Sequence, residues 1–164
     1  MQFIQEPTFD QLRTKEQLGY VVFSRPRSAR DILSAWFLIQ SPGKNCEHIR
    51  KRLDIHLDKM RKKVRDMTDE QFQTCVGSVM TDISEKDKNL LEAHNRIWGA
   101  ELSTHAYIFD RQDREVALLP TITKAEFQAY FEAMFFKPNR ANRLDIHWNS
   151  KKHLDEVSEA AGGE

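Results

Sequence analysis

The hydrophobic period of the chain changes at one turn, residues 41–45, and this change restricts the fold more than any other feature. Before the turn, residues 20–23 and 32–39 form runs of β-branched and aromatic side chains with the length of β-strands. After the turn, apolar side chains between positions 49 and 64 recur three and four residues apart, as on one face of an amphipathic helix. The turn contains adjacent Pro and Gly residues, which break a strand and permit a reversal of the chain. The sequence therefore predicts an α+β fold.

The remaining periodicity predicts further helices and one further strand. Residues 1–17 are compatible with a helix that Pro7 interrupts, and residues 24–31 form a polar, basic loop between two antiparallel strands. Capping boxes at 68–71 and 123–126 each begin a helix, because the Thr hydroxyl accepts from a backbone amide that the helix leaves free. The predicted strands lie near 20–24, 32–40 and 143–148, and the predicted helices lie near 46–65, 68–84, 90–104, 114–119 and 123–136.

Three strands make a small sheet for this number of helices, although the chain of 164 residues has the length of one domain. We therefore expect a mainly antiparallel sheet packed against several helices and incomplete at its N-terminus, with further strands before residue 1. Residues 1–150 carry the folded part, and residues 151–164 are expected to form a frayed polar tail.

Composition and charge exclude several classes of function. The 25 basic side chains equal the 25 acidic ones in number, which argues against wholesale binding of nucleic acid or of an anionic membrane. No apolar run approaches the length of about 20 residues that a membrane-spanning helix needs, and no secretory signal begins the chain. The two cysteines, Cys46 and Cys75, are too few for a disulfide scaffold and predict a reducing compartment.

The chain carries no complete catalytic motif. None of the six histidines stands in a His-x-x-Glu-His or His-Glu-x-x-His arrangement, which would place two imidazoles on one zinc ion. A nucleophile elbow, a P-loop and a Gly-rich dinucleotide turn are all absent from the sequence. Cys75 lies on an apolar helical face, which favours core packing over a nucleophilic role. We expect the isolated chain to bind no metal and to have no activity.

Two local features stand out from this background. Residues 44–65 carry nine basic against three acidic side chains, and this surplus indicates either a polyanion site or, more often, a solvated helical face. Residues 12–20 run from a charged helical end through Gly19 into a strand, which places Arg13 and Tyr20 at one junction. A cation and a phenol at one place can stabilise an oxyanion, whereas the structural alternative pairs Arg13 with Glu16 and leaves Tyr20 as the start of a strand.

The junction carries a family signature. Residues 12–24, LRTKEQLGYVVFS, closely resemble a motif in the C-terminal half of the pitrilysin family of inverted-motif zinc metallopeptidases, in its insulysin branch. Similarity continues in the same order at residues 36–41, 66–68, 98–99, 109–111 and 119–124. The resemblance therefore covers nearly the whole chain to about position 148.

The resemblance implies a domain of the type found in pitrilysin and the mitochondrial processing peptidase, within a large peptidase of four homologous α+β domains. Residues 1–150 correspond to the later part of the fourth domain. The family's N-terminal half holds zinc with a His-x-x-Glu-His motif, and its C-terminal half closes over the zinc to form a chamber that degrades peptides such as insulin. This chain therefore holds no zinc of its own, and its implied partners are the N-terminal half of the same enzyme and peptide substrates.

The resemblance also implies the site residues. Arg13 and Tyr20 match the Arg and Tyr that reach across the chamber in the family, where they bind the substrate backbone and help stabilise the tetrahedral intermediate. Polyanion-binding lysines on the chamber wall are matched in part by Lys86 and Lys88, since Asp87 and Asn89 depart from an all-basic pattern.

A second class of function stays open beside the peptidase. Some family members are structural subunits, so the chain could be a non-catalytic structural or interaction module with the same fold, and an exposed sheet edge would favour self-association. The expected location is cytoplasmic, with mitochondrial or peroxisomal placement left open. The peroxisomal tripeptide of some relatives is absent from the end of the chain, which reads Gly-Gly-Glu.

Overall fold

The computed structural model describes residues 1–29, 32–102, 107–136 and 143–151. The helices are α1 (Gln2–Phe9), α2 (Cys46–Arg65), α3 (Asp69–Ser84), α4 (Leu90–His94), α5 (Arg111–Leu118) and α6 (Lys124–Phe136), and the strands are β1 (Val21–Ala29) and β2 (Ile32–Gln40). Two π-helical segments, Asp10–Lys15 and Asn95–Leu102, continue α1 and α4, and a 3₁₀ turn, Leu119–Thr121, links α5 to α6. The α+β class predicted from the sequence is confirmed.

Strands β1 and β2 form an antiparallel hairpin that pairs Val21 with Gln40 at one end and Ala29 with Ile32 at the other. The prediction of a loop at 24–31 is wrong, because β1 continues to Ala29. Polar side chains of β1 are compatible with a strand because one of them contacts β2: the Arg25 guanidinium lies 4.9 Å from the ring centre of Trp36, a stabilising cation–π contact. Pro26 fits because β2 is the only strand paired with β1 in the described part of the chain, so β1 is an edge strand.

The predicted third strand at 143–148 is not formed. Residues 143–150 have no regular structure, and the apolar side chains of Leu144, Ile146 and Trp148 are 80–93% exposed. The segment is fixed at its ends, where Arg143 donates to Asp54 and the Asn149 side chain accepts from a backbone amide of α2. Without a strand beside it among the described residues, neither its backbone nor its apolar face gains a partner.

The core lies between α1, α2, α6 and the hairpin. One buried cluster comprises Ile4, Met60, Val64 and Phe131, with aromatic side chains of α6, Phe3 and Phe37 packed around it. A second cluster comprises Leu12, Leu18 and Val22, and joins the π-helical segment Asp10–Lys15 to β1. This second cluster fixes the junction at which Arg13 and Tyr20 lie.

Helix starts follow the sequence closely. Both predicted capping boxes form: Thr68 and Thr123 each accept from the backbone amide three residues later, and the side chains of Gln71 and Glu126 accept from the cap amides. Helix α5 begins at Arg111, three residues before its predicted start.

The predicted helix at 90–104 is present as α4 and its π-helical continuation, described to Leu102. Its expected inward face is exposed, however: Leu90, Leu91 and Trp98 show 86%, 67% and 57% of their surface to solvent. No described element covers this face. Residues 137–142, which follow α6, lie outside the described residues, as do His105, His153 and residues 152–164 of the predicted tail.

Candidate functional site

The structure brings Arg13 and Tyr20 together. The Arg13 guanidinium carbon lies 5.4 Å from the ring centre of Tyr20 and 5.0 Å from that of Phe9, so the cation sits between two aromatic rings. Arg13 is half-buried, whereas Tyr20 is 81% exposed. Tyr20 can therefore contact a ligand from outside this chain while its ring orients the Arg13 guanidinium beside it.

The local backbone explains this placement. Glu16 closes the π-helical segment by donating its amide to the Gln11 carbonyl, and Gln17 then takes a positive φ of 49°. The Leu18 amide donates to the Leu12 carbonyl at 3.0 Å, which turns the chain back toward the buried cluster. Leu12 and Leu18 are 0% and 3% exposed, so the two ends of the turn are held by burial.

Gly19 joins this turn to the hairpin. A β-carbon at position 19 would overlap the carbonyl group of Gln40 and come within 3.0 Å of the α-carbon of Ser41. Only glycine allows the backbone to pass this close to the end of β2. Because Leu18 and Val22 are buried on either side of Gly19 and Tyr20, the direction of the Tyr20 side chain is set by the fold.

Glu16, the sequence-based alternative partner of Arg13, is bound by another helix. Its carboxylate accepts two hydrogen bonds of 2.6 Å from Arg52 of α2 and one of 2.7 Å from Gln11. The Arg52 hydrogen bond is the main reason that the pKa of Glu16 lies below its usual value. In the described part of the chain, Arg13 has no carboxylate within ion-pair distance, which leaves its donors available to a ligand.

The two lysines assigned to polyanion binding lie in the connection between α3 and α4. Lys88 forms a 2.7 Å ion pair with Glu85, and the hydrogen bond from this pair raises the pKa of Lys88. Asp87 accepts from Arg96 at 2.7 Å, while Lys86 is exposed. The local charge is thus largely balanced, and polyanion binding stays a prediction.

Ion pairs also occupy part of the basic surplus of α2. Arg52 pairs with Glu16, Arg61 pairs with Glu132 of α6, and Arg50 lies near Glu47. The remaining basic side chains are solvent-exposed, as a solvated helical face would be.

The described residues do not fit a zinc ion: they contain no group of three or more His, Cys, Asp or Glu side chains placed to hold a metal. His56 instead faces the core, 3% exposed, with its Nε2 atom 3.0 Å from the Thr8 hydroxyl. Burial lowers the pKa of His56 and raises that of the half-buried Cys75 thiol, so both groups are held neutral.

Sequence reasoning missed three contacts, two at this site and one, between Thr8 and His56, in the core. Phe9 precedes Arg13 by one helical turn, so spacing alone could have indicated the aromatic contact. The pairs Glu16–Arg52 and Thr8–His56 join positions 36 and 48 residues apart, and no local pattern marks either one.

Comparison with known proteins identifies the family. Residues 1–98 match the family described as PQQ synthase PqqF-like, C-terminal lobe domain 4. The human insulin-degrading enzyme is 38% identical over 147 residues, which is 89% of this chain and 14% of that protein. The chain belongs to the pitrilysin family. Within it, the match is to the fourth domain and to insulysin-like members, as the signature at 12–24 indicated.

A further relative supports the family assignment, and a solved structure supports the fold. The Arabidopsis thaliana protein named insulin-degrading enzyme-like 1, peroxisomal, is 32% identical over 93% of this chain and 16% of its own length. The crystal structure of pitrilysin superposes with a TM-score of 0.68 at 23% identity, covering 90% of this chain and 17% of that one. The predicted fold class is thereby confirmed, and the chain spans only a small part of each relative. Within the described ranges, no helix combines the length and apolarity that crossing a bilayer requires.

Proposed function

We propose that this chain is the C-terminal, zinc-free domain of an insulysin-like endopeptidase, in which Arg13 and Tyr20 bind the peptide and stabilise its reacting carbonyl. The observation that carries this proposal is the contact between these two side chains at an exposed junction, within a segment that resembles the insulysin signature. A junction with a purely structural role has no need of an 81% exposed Tyr20 beside a cation.

The two side chains suit the oxygen of a peptide undergoing hydrolysis. Arg13 keeps its charge at any physiological pH and offers several N–H donors to a peptide carbonyl. Tyr20 can donate its phenolic proton to the carbonyl oxygen as that oxygen becomes an oxyanion. The aromatic contacts of Arg13 with Phe9 and Tyr20 restrict its guanidinium before substrate arrives, so little reorganisation is needed in the reaction.

The metal and the rest of the chamber belong elsewhere in this proposal. The part of the chain that the structure describes holds no group placed to bind zinc, so zinc, which activates water in such peptidases, is assigned to the N-terminal half of a longer polypeptide. That half and peptide substrates are then the partners of this chain. Free thiols at Cys46 and Cys75 support a reducing, cytoplasmic location.

The alternative function is a structural or interaction module with the same fold. It predicts that Arg13 and Tyr20 can be replaced without consequence for any activity of an assembled enzyme. The exposed apolar faces near α4 and at 143–148 are compatible with both functions, because either a chamber domain or a scaffold subunit must pack against further protein.

A chimera tests the proposal. The segment of the human insulin-degrading enzyme that this chain matches is replaced by this chain, and insulin degradation is measured together with zinc content and thermal unfolding. We expect an active chimera in which Tyr20→Phe and Arg13→Ala each lower turnover by about 100-fold to 1000-fold, as loss of an oxyanion donor does. Tyr130→Phe is the matched control, because Tyr130 is also exposed and lies on α6.

Two results would overturn the proposal. One is a folded, zinc-loaded chimera without turnover; the other is full turnover in both variants. If the chimera does not fold, the proposal is tested by the binding of a labelled insulin B-chain peptide to this chain alone, measured by fluorescence anisotropy. Arg13→Ala must weaken this binding, and Tyr130→Phe must not.

A further inference from the structure

The Glu16 carboxylate lies at the end of the segment that carries Arg13 and is partly buried. Its side chain is 14% exposed, and its two oxygens accept from both prongs of the Arg52 guanidinium at 2.6 Å. Gln11, in the same π-helical segment, donates to it at 2.7 Å. Two-pronged contacts between Arg and a carboxylate fix direction as well as distance, so this contact sets the position of the segment against α2.

The backbone transmits this contact to Arg13. The Glu16 amide donates to the Gln11 carbonyl and closes the π-helical turn in which Arg13 lies three residues earlier. Four residues before Glu16, Leu12 belongs to the buried cluster that Leu53 of α2 also contacts. The turn is therefore attached to α2 by one ion pair and by one apolar contact, with Arg13 between them.

The same ion pair keeps Glu16 away from Arg13. A carboxylate three positions from an arginine in a helix is a natural ion-pair partner for it. Here the Glu16 oxygens are occupied by Arg52 and Gln11, and the Arg13 guanidinium lies over Phe9 and Tyr20 instead. Without Arg52, the freed Glu16 carboxylate would compete for Arg13.

We propose that Glu16 and Arg52 are positioning residues, whose ion pair holds the Arg13 guanidinium over Tyr20 and open to substrate. The effect on catalysis rests on the function proposed above, whereas the positioning of Arg13 does not. Neither residue touches the reacting peptide in this proposal. Both act through the geometry of Arg13, for which an error of about 1 Å can cost up to about 100-fold in rate.

The same segment offers a matched control. Lys15 and Asp10 form an ion pair of 2.6 Å whose side chains are 62% and 49% exposed. It has the same charges, lies on the same π-helical turn and does not reach α2. Lys15→Gln should therefore leave Arg13 in place, while Glu16→Gln, which keeps the size of the side chain but removes its charge, should release it.

Nuclear magnetic resonance of this chain tests the positioning. The two rings near Arg13 must shift its Nε–Hε resonance away from the position of an unrestrained arginine; Arg13→Lys identifies the peak. We expect Glu16→Gln to remove most of that shift and Lys15→Gln to preserve it. If Glu16→Gln unfolds the chain, Arg52→Lys decides in its place, because it keeps the charge but not the two-pronged contact. An unchanged Arg13 resonance in the folded variant overturns the proposal.

Turnover of the chimera tests the catalytic consequence. Glu16→Gln should lower kcat by about 10-fold to 100-fold and also raise KM, because Arg13 binds the peptide in this proposal, and Arg52→Lys should restore part of the loss relative to Arg52→Gln. A merely structural role would instead lower the melting temperature and leave kcat of the folded fraction unchanged, which contradicts positioning. Full turnover in Tyr20→Phe and Arg13→Ala would reject the proposed function alone, since the Arg13 resonance reports positioning independently.

Discussion

The backbone of Gly19 lies directly against the carbonyl group of Gln40, with no room for a β-carbon between them. This contact joins Gly19, two positions before the start of β1, to the final residue of β2, and Gly19 directly precedes Tyr20 in the sequence. The junction can therefore keep this shape only while the α-carbon of Gly19 carries a hydrogen atom in place of a side chain.

Gly19→Ala should therefore destabilise the chain by about 1–3 kcal/mol, because the backbone of β2 has to move to admit the methyl group. Urea denaturation followed by circular dichroism measures the change. Gly77→Ala is the control: Gly77 lies in α3 with nothing within 4 Å of its missing β-carbon, so alanine there should stabilise by up to about 1 kcal/mol. Equal stability of Gly19→Ala and the unmodified chain would contradict the steric argument.

Stability should fall as the pH drops below about 6.5, the ordinary pKa of histidine. The Thr8 hydroxyl donates to the Ile4 carbonyl, so it accepts from His56 Nε2–H, and burial holds the pKa of His56 below its unfolded value. The unfolded chain therefore binds a proton at His56 more tightly than the folded chain does. The stabilising contribution of neutral His56 is complete above about pH 6.5 and is lost as the pH falls through the folded-state pKa of His56.

Thermal melts between pH 5 and 8 measure this dependence on His56. His56→Gln should flatten the dependence of the melting temperature on pH near pH 6. His48→Gln should leave that dependence unchanged because His48 is exposed on α2. The lowered pKa of Glu16 adds a second loss at more acidic pH, as that carboxylate protonates and its bonds to Arg52 weaken. A profile that is flat from pH 5 to 8 in the unmodified chain would refute the role of His56.

The isolated chain should bind no zinc and cleave no peptide. It offers no metal site in its described residues, and the sequence contains no His-x-x-Glu-His motif. Metal analysis of the purified chain and a fluorogenic peptide assay, each with and without a chelator, test this expectation. Zinc at one equivalent with turnover that the chelator abolishes would show it to be wrong.

The chain should associate with itself as its concentration rises. Large apolar side chains are exposed at Leu90, Leu91, Leu144, Ile146 and Trp148. Exposed apolar surface of this kind favours contact between molecules. Sedimentation velocity over a range of concentrations should show a growing average mass, and Ile146→Lys with Trp148→Lys should reduce that growth. A strictly monomeric chain at high concentration would count against the expectation.

Polyanion binding through Lys86 and Lys88 should be weak, and removal of a neighbouring acid should strengthen it. Glu85 pairs with Lys88 at 2.7 Å, so Glu85→Gln should free the ammonium group for a phosphate or sulfate. Elution from heparin then requires more salt. Lys86→Ala with Lys88→Ala should remove this gain, and an unchanged elution in Glu85→Gln would argue against a site here.

The fold was predictable where neighbouring residues decide it. The turn at 41–45 and the Thr caps of α3 and α6 form as local spacing indicates. The strand at 24–29 was not predictable, because the contact of Arg25 with Trp36 joins two strands and leaves no periodic signal. The strand expected at 143–148 fails for the opposite reason: its alternation is correct, but strand formation depends on a neighbour.

The candidate site divides in the same way. Residues 12–20 place Arg13 and Tyr20 at one junction, and their contact follows from the length of the turn between them. The role of Arg52 could not be read from the sequence, because which of several basic residues of α2 meets Glu16 depends on how the helix is rotated. That rotation is fixed by burial of Met60 and Val64 in the core.

The π-helical segment Asp10–Lys15 holds one more residue in its turn than an α-helix of the same rise would. Because the turn is wider, the Glu16 amide bonds to the Gln11 carbonyl five residues back and leaves the Leu12 carbonyl to accept from Leu18. Removing one residue from the segment would restore the α-helical turn, in which the amide four residues on takes that carbonyl. The chain would then lose the hydrogen bond that turns it back at Leu18, so insertions or deletions in this one turn alter the site more than most substitutions.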